Sequence, residues 1–271
     1  MSIDQAINEY ETLVKYRYHP VLVELTEEET DHYDRLSGEI ARLYGMSQDS
    51  WGNFEVAAEM KLLERSNILK HAAGKVPAFR RVVSELDERK YMLVYTAEGT
   101  GPVREDIRQD DELLEVLRDL DVDARTFNGD QVLAARVFLQ EELDQGRCDC
   151  LVAMKCLDEG IDIPEARIGL FVASTTNPRQ YVQRRGRILR KPKSAASTKD
   201  SADLYDFIVK PPRVLGDADR FIMERKLVAR ELMRALELAG SARNKNQAQG
   251  ELEELIAYYQ LDDLRPEAED D

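Results

Sequence analysis

The basic run Gln183-Arg-Arg-Gly-Arg-Ile-Leu-Arg190 sets two guanidiniums, Arg187 and Arg190, three residues apart behind Gly186. That spacing puts side chains on one face of a helix, and a glycine lets backbone come close to another group. A guanidinium is planar and always charged, so a pair aimed the same way beside a flexible turn suits a triphosphate. Upstream, Leu157-Asp-Glu-Gly-Ile-Asp-Ile-Pro164 reads as a strand end that turns through Gly160 into Asp162 and stops at the rigid Pro164. The plainer readings are surface arginines on a basic helix and an aspartate that only forms a turn.

In that order the two runs resemble motifs V and VI of superfamily 2 helicases and translocases, and the chain resembles the second RecA-like domain of such a motor. Tyr18-His-Pro-Val-Leu-Val-Glu-Leu-Thr-Glu-Glu-Glu29 is similar to the bridge between motor domains in the DNA-repair and transcription helicase group. Arg65–Lys75, ending Ala72-Ala-Gly-Lys75, resembles the helix before motif IV. The likeness covers about residues 10–210 and is weak in the C-terminal helices.

The resemblance implies that Arg187 and Arg190 are an arginine-finger pair meeting the γ-phosphate of ATP, with Gln183 positioning the finger or the attacking water. It places Gly160 and Asp162 at the nucleotide, the carboxylate accepting from a ribose hydroxyl. It also implies a nucleic-acid grip from loops that follow strands, through hydroxyls, backbone amides and basic groups. Thr96, Asn128-Gly129 and Lys155 occupy such positions. Many relatives carry a threonine at or beside Met154-Lys155, and here Lys155 would replace it as a point charge. Arg125 and Arg136 are further candidates, with structural roles as the competing reading. None of these contacts reads base edges.

These motors bind ATP and Mg²⁺ between two RecA-like domains, the first supplying G-x-x-x-x-G-K-[ST] and an acidic box. Neither occurs here. Gly74-Lys75 is followed by Val76-Pro77 and lacks the upstream glycine, and Asp87-Glu88-Arg89-Lys90 follows an amphipathic stretch rather than an apolar strand. The expectation is half of an ATPase, inactive alone. It would bind DNA, single- or double-stranded, and need a first RecA-like domain in cis or in trans. The rivals are a non-catalytic nucleic-acid or motor-binding module, and an RNA helicase fragment.

Composition is compatible with this. At 271 residues, 43% hydrophobic and 34% charged, the chain can bury one good core under a highly charged surface. No apolar run approaches a membrane span and no leader follows Met1, so the expected location is cytoplasmic with no membrane partner. The net charge of -15 opposes a nucleic-acid partner, yet Arg179–Lys193 carries seven basic residues and no carboxylate. Local field decides what a groove attracts. Cys148 and Cys150 flank Asp149 and would face one side of a strand. With Cys156 they read as free thiols rather than a zinc site, because the three histidines are distant in sequence.

The elements that must position these residues alternate. Strands are expected at Met92–Thr96, Val122–Phe127, Cys150–Met154, Ile168–Ala173 and Leu204–Val209. Helices fall at Asp106–Leu120 and at Val132–Leu143, the latter with Val132, Ala135, Phe138 and Leu139 on its inner face. Short connections then predict an α/β fold, a RecA-like three-layer parallel sheet, with the chemistry-bearing positions at the strands' carboxyl ends. Residues 1–88 read as a bridging strand and helices, 89–212 as the RecA-like domain, 213–262 as a helical annex and 263–271 as an acidic disordered tail. Within the bridge, Thr26–Glu29 is a capping box opening a helix to about Leu43. Tyr16, Tyr18 and Trp51 are either packing residues or base-stacking platforms.

Overall fold

The computed structural model describes residues 5–46, 53–104, 106–154, 163–173, 184–192, 197–212 and 218–262. Three four-residue strands, β2 (Met92–Tyr95), β4 (Cys150–Ala153) and β5 (Ile168–Phe171), are buried along their whole length. Runs this apolar suit a parallel sheet covered on both faces. They pair in parallel in the order β5-β2-β4, and β3 (Ala124–Phe127) closes one side. On the other side β6 (Ser201–Val209) pairs β5, and β1 (Lys15–Val23) pairs β6 in parallel over nine residues, from Lys15↔Ser201 to Val23↔Val209. The sheet is therefore six-stranded, β1-β6-β5-β2-β4-β3. The expected bridging strand is one edge of the core sheet itself.

Helices α3 (Lys75–Glu85) and α4 (Gln109–Asp119) cover one face, packing Phe79, Val83, Leu113 and Leu117 on Val94, Val152 and Leu170. On the other face, α7 (Ala218–Gly240) and α8 (Lys245–Tyr258) bring Leu232, Leu236, Leu252 and Ile256 to Leu93, Leu151 and Leu204. The turn between α7 and α8 also lies along β1. Arg243 N–H donates to Tyr16 O at 2.9 Å, and the Asn244 side chain donates to Tyr18 O and accepts from Tyr18 N–H, both at 2.9 Å. Tyr16 and Tyr18 are fully buried, their hydroxyls donating to Leu238 O and Asp206. Of the two readings, packing is what these tyrosines do; Trp51 lies outside the described residues.

Helix α1 (Glu27–Met46) opens with the expected capping box: Glu29 accepts from Thr26 N–H at 2.9 Å and Thr26 Oγ1 accepts from Glu29 N–H at 3.2 Å. It packs on α2 (Asn53–Lys70) through Tyr33, Leu36 and Ile68. A buried polar knot joins both to α7. The Glu224 carboxylate accepts from Tyr33 Oη at 2.6 Å, Ser37 Oγ at 3.1 Å and Arg65 Nη1 at 3.3 Å. Burial, then the Glu224 charge, pushes the Tyr33 phenol well up.

Two expectations change. Helix α5 (Leu133–Asp144) buries Leu143 and half-buries Leu139, but leaves Val132 72% and Phe138 56% exposed, so its inner face is rotated from the expected one. Cys148 and Cys150 are free and buried but belong to opposite core clusters, because Cys148 precedes β4 and strand alternation does not reach it. Gly74-Lys75 is structural. A Cβ on Gly74 would meet Glu24 O at 2.6 Å, and the buried Lys75 donates to Lys70 O at 3.1 Å. Burial lowers that amine to about 8. The expected tail lies outside the described residues.

Candidate functional site at the two ends of the sheet

With every strand parallel, all carboxyl ends share one edge. Thr96 follows β2, Asn128-Gly129 follows β3 and Met154 follows β4, as the alternation predicts. Thr96 is buried, its hydroxyl 3.4 Å from Ala97 O. The loop after β3 is closed by Gln131, which accepts from Asn128 N–H at 3.2 Å and donates to Thr126 O at 3.0 Å. Gly129 is exposed at its tip, and the Asn128 side-chain oxygen is buried with no hydrogen-bond partner. Lys155, Gly160, Asp162 and Gln183 lie outside the described residues. Arg125 pairs at 3.0 Å with Asp123, just ahead of its own strand, and Arg136 is half-buried on α5.

One residue of this edge escapes the sequence reading. Arg108, just before α4, is held by Asp110 through two 3.2 Å contacts and reaches Met154 Sδ at 3.3 Å. Its sequence signal is a basic residue at a helix entrance beside the acidic Asp110–Glu112. The buried Gln109 accepts from Ala97 N–H at 3.1 Å and donates to Lys70 O at 3.1 Å, tying the loop after β2 to the end of α2.

The arginine motif takes a different place. A short helix, α6, is described over residues 184–188 and packs Ile188 on the sheet. Its seat is Gly169 in β5: a Cβ there would collide with Ile188 Cδ1 and come within 3.3 Å of Leu204. At Gly186 a Cβ would meet nothing within 4 Å, whereas at Gly169 the chain itself packs against the glycine. A lone glycine inside an apolar strand is the signal for such an approach.

Four arginines of the motif sort by direction. Arg184 and Arg185 are buried, the first with its guanidinium 5.2 Å from the Tyr95 ring centroid, the second 3.8 Å from Glu237 on α7. Arg187 is half-buried and Arg190 exposed. The expected shared helical face does not extend to Arg190. The helix stops at 188, and Arg190 forms an antiparallel bridge with Leu13, just ahead of β1. Val14 N–H donates to Leu189 O at 2.7 Å. Arg190 therefore sits beside the amino ends of β1 and β6, opposite Thr96 and Asn128 across strands of about 13 Å. Of the described positions, Arg190 thus stands apart from the edge that holds Thr96 and Asn128.

Lys199, two residues before β6, also went unread. Its ammonium donates to Pro164 O at 2.7 Å, Ile188 O at 2.8 Å and Arg190 O at 2.8 Å. Burial lowers it to about 7, against the pull of Glu165. Nothing in Ser197-Thr-Lys-Asp200 signals this, because the three carbonyls converge only in the fold.

Residues 74–192 match the helicase conserved C-terminal domain family. The chain is 25% identical over 222 residues to the DNA 3'-5' translocase XPB2 of Sulfurisphaera tokodaii, covering 74% of this chain and 47% of that protein. It thus spans about half the length of the curated relative it matches. The crystal structure of the C-terminal part of the Fun30 ATPase domain superposes with a TM-score of 0.52 at 14% identity, covering 77% of this chain and 92% of that one. That likeness concerns the fold, which is RecA-like.

Proposed function

We propose that this chain, whose residues 74–192 match the helicase conserved C-terminal domain family, is the second RecA-like domain of a superfamily 2 DNA motor, the half that completes the ATP site and grips the strand. A first RecA-like domain, on the same natural chain or another subunit, supplies the phosphate loop and most of the contacts to ATP and Mg²⁺. ATP at that junction supplies the phosphoryl group that passes to water. From this chain, Arg187 and Arg190 neutralise charge as the terminal phosphoryl group leaves, Gln183 orients the finger or the water, and Gly160 and Asp162 border the ribose.

The observation that carries the reading is the sorting of the basic motif. Arg184 and Arg185 anchor α6 to Tyr95 and Glu237, while Arg187 is half-buried and Arg190 exposed. A turn anchored by two of its arginines offers the others in a fixed frame, which charge stabilisation without reorganisation requires. Thr96, Asn128 and Gly129, with Lys155, form the grip on phosphates. DNA is favoured over RNA by the likeness to a relative named as a DNA translocase.

The test is Arg187→Ala in the assembled motor. Loss of a finger is expected to cut ATP turnover by about 10³-fold, with ATP and nucleic-acid binding preserved. Undiminished turnover would remove the finger assignment. Altered nucleic-acid affinity with no ATPase to lose would favour a non-catalytic binding module, and stimulation by RNA but not DNA would favour an RNA helicase.

A further inference from the structure

Three backbone carbonyls converge on the Lys199 side chain. Two, from Ile188 and Arg190, belong to the end of α6 and the residue that carries the outermost guanidinium. Helix carboxyl ends leave carbonyls without intrahelical partners, and a cation beside them is favourable. The third, from Pro164, belongs to the segment that leaves Gly160 and Asp162. All three distances lie between 2.7 and 2.8 Å, the range of charge-assisted bonds. An ammonium has three N–H donors and no acceptor, so Lys199 is saturated by these carbonyls.

The surroundings hold Lys199 in place. Its own N–H donates to Ser197 Oγ at 3.2 Å, and that hydroxyl donates to Glu165 at 2.7 Å. Glu165 N–H donates to Asp144 at 3.1 Å, and Arg167 donates to Thr198 Oγ1 at 2.9 Å. The two chain segments meeting at Lys199 are far apart in sequence, and both carry residues assigned to the nucleotide.

We propose that Lys199 is a positioning residue for ATP turnover: its ammonium ties the turn bearing Arg187 and Arg190 to Pro164, so that the finger arginines are carried in a fixed frame. This rests on the arginine-finger reading. Lys199 touches neither ATP nor nucleic acid and acts through backbone it holds.

The experiment compares Lys199→Met, Lys199→Gln and Arg187→Ala in the assembled motor, by ATP turnover, nucleic-acid binding and amide hydrogen exchange. Displacing a reacting group slightly costs one to two powers of ten, so Lys199→Met is expected to lower kcat at least about tenfold, with KM for ATP and nucleic-acid affinity nearly unchanged. Exchange should quicken at Leu189 and Val14, whose amides report the turn, and not at Val94 or Val152 in the sheet. Lys199→Gln, which keeps two N–H donors, should fall between parent and Met.

If Arg187→Ala loses turnover while both Lys199 variants keep kcat, the positioning role is overturned and the finger reading stands. If Arg187→Ala keeps turnover, the finger reading fails and takes this proposal with it. A loss in the Lys199 variants that comes with faster exchange throughout the sheet also overturns it, since the lysine would then serve stability alone. Should Lys199→Met not fold, Lys199→Gln decides by the same criteria.

Discussion

The two ends of the sheet are held by different means. At the amino end, the turn bearing Arg187 and Arg190 is fixed by buried contacts: Ile188 on Gly169, Leu189 O to Val14, and three carbonyls on Lys199. At the carboxyl end, the loop after β2 is fixed chiefly by side chains, Gln109 on Ala97 and Lys70, Arg104 on Glu112 and Arg108 on Asp110. Partly exposed ion pairs of that kind are worth about 0–1 kcal/mol each, whereas an orphaned buried partner costs several times that. One end is pinned mainly through backbone carbonyls and the other mainly through side chains. On the proposed reading these are the end that meets the nucleotide and the end that grips the strand.

The comparison breaks most readily at Gly169. Gly169→Val forces a branched side chain against Ile188 and Leu204, both fully buried. Overpacking of this kind is expected to lower stability by about 3 kcal/mol, measured by urea denaturation, and turnover should fall while nucleic-acid affinity does not. Equal losses at both ends would show that they are not separable. A gentler perturbation at the other edge is Asn128→Ala. It is expected to weaken nucleic-acid binding by about fivefold, roughly one hydrogen bond, with turnover at saturating nucleic acid unchanged. A titration in the parent and variant decides it, and a fall in kcat would move Asn128 to the nucleotide side.

The smallest effect comes from His71, at the end of α2 beside the loop after β2. Burial, and then the Lys75 charge, lower it from 6.5 to about 4. The unfolded chain therefore binds this proton first as pH falls. The stability contributed by neutral His71 is complete above pH 6.5 and declines as pH drops toward 4. His71→Gln should flatten that part of a denaturation-midpoint profile; an unchanged slope there would assign the acid sensitivity to other groups.

Much of the sheet is legible from local pattern. Cys150–Ala153 and Ile168–Phe171 are apolar on both faces, which only a covered strand tolerates, and the Thr26–Glu29 cap is a short-range code. What hides from sequence is non-local. The pairing of β1 with β6 joins Lys15 to Ser201, and no feature of either strand names the other. Helix α5 misleads because its apolar residues surround it, so spacing alone did not choose the buried side. The basic motif is legible in composition, but the fold decides which arginines turn inward. Lys199 was invisible because its partners are backbone carbonyls, to which any residue contributes alike.

The sealing of β1 by Arg243 and Asn244 bears on how this protein can be cut. Trimming to the matched span of 74–192 would delete both β1 and β6, leaving β5 with its hydrogen-bonding side bare. A flat, apolar, unpaired edge of that kind is a template for strand addition between copies and for aggregation. Removing only the last two helices would uncover the nine-residue β1 instead. The smallest piece with a protected sheet runs from before Lys15 to past Asn244, well beyond the boundaries that the motifs mark.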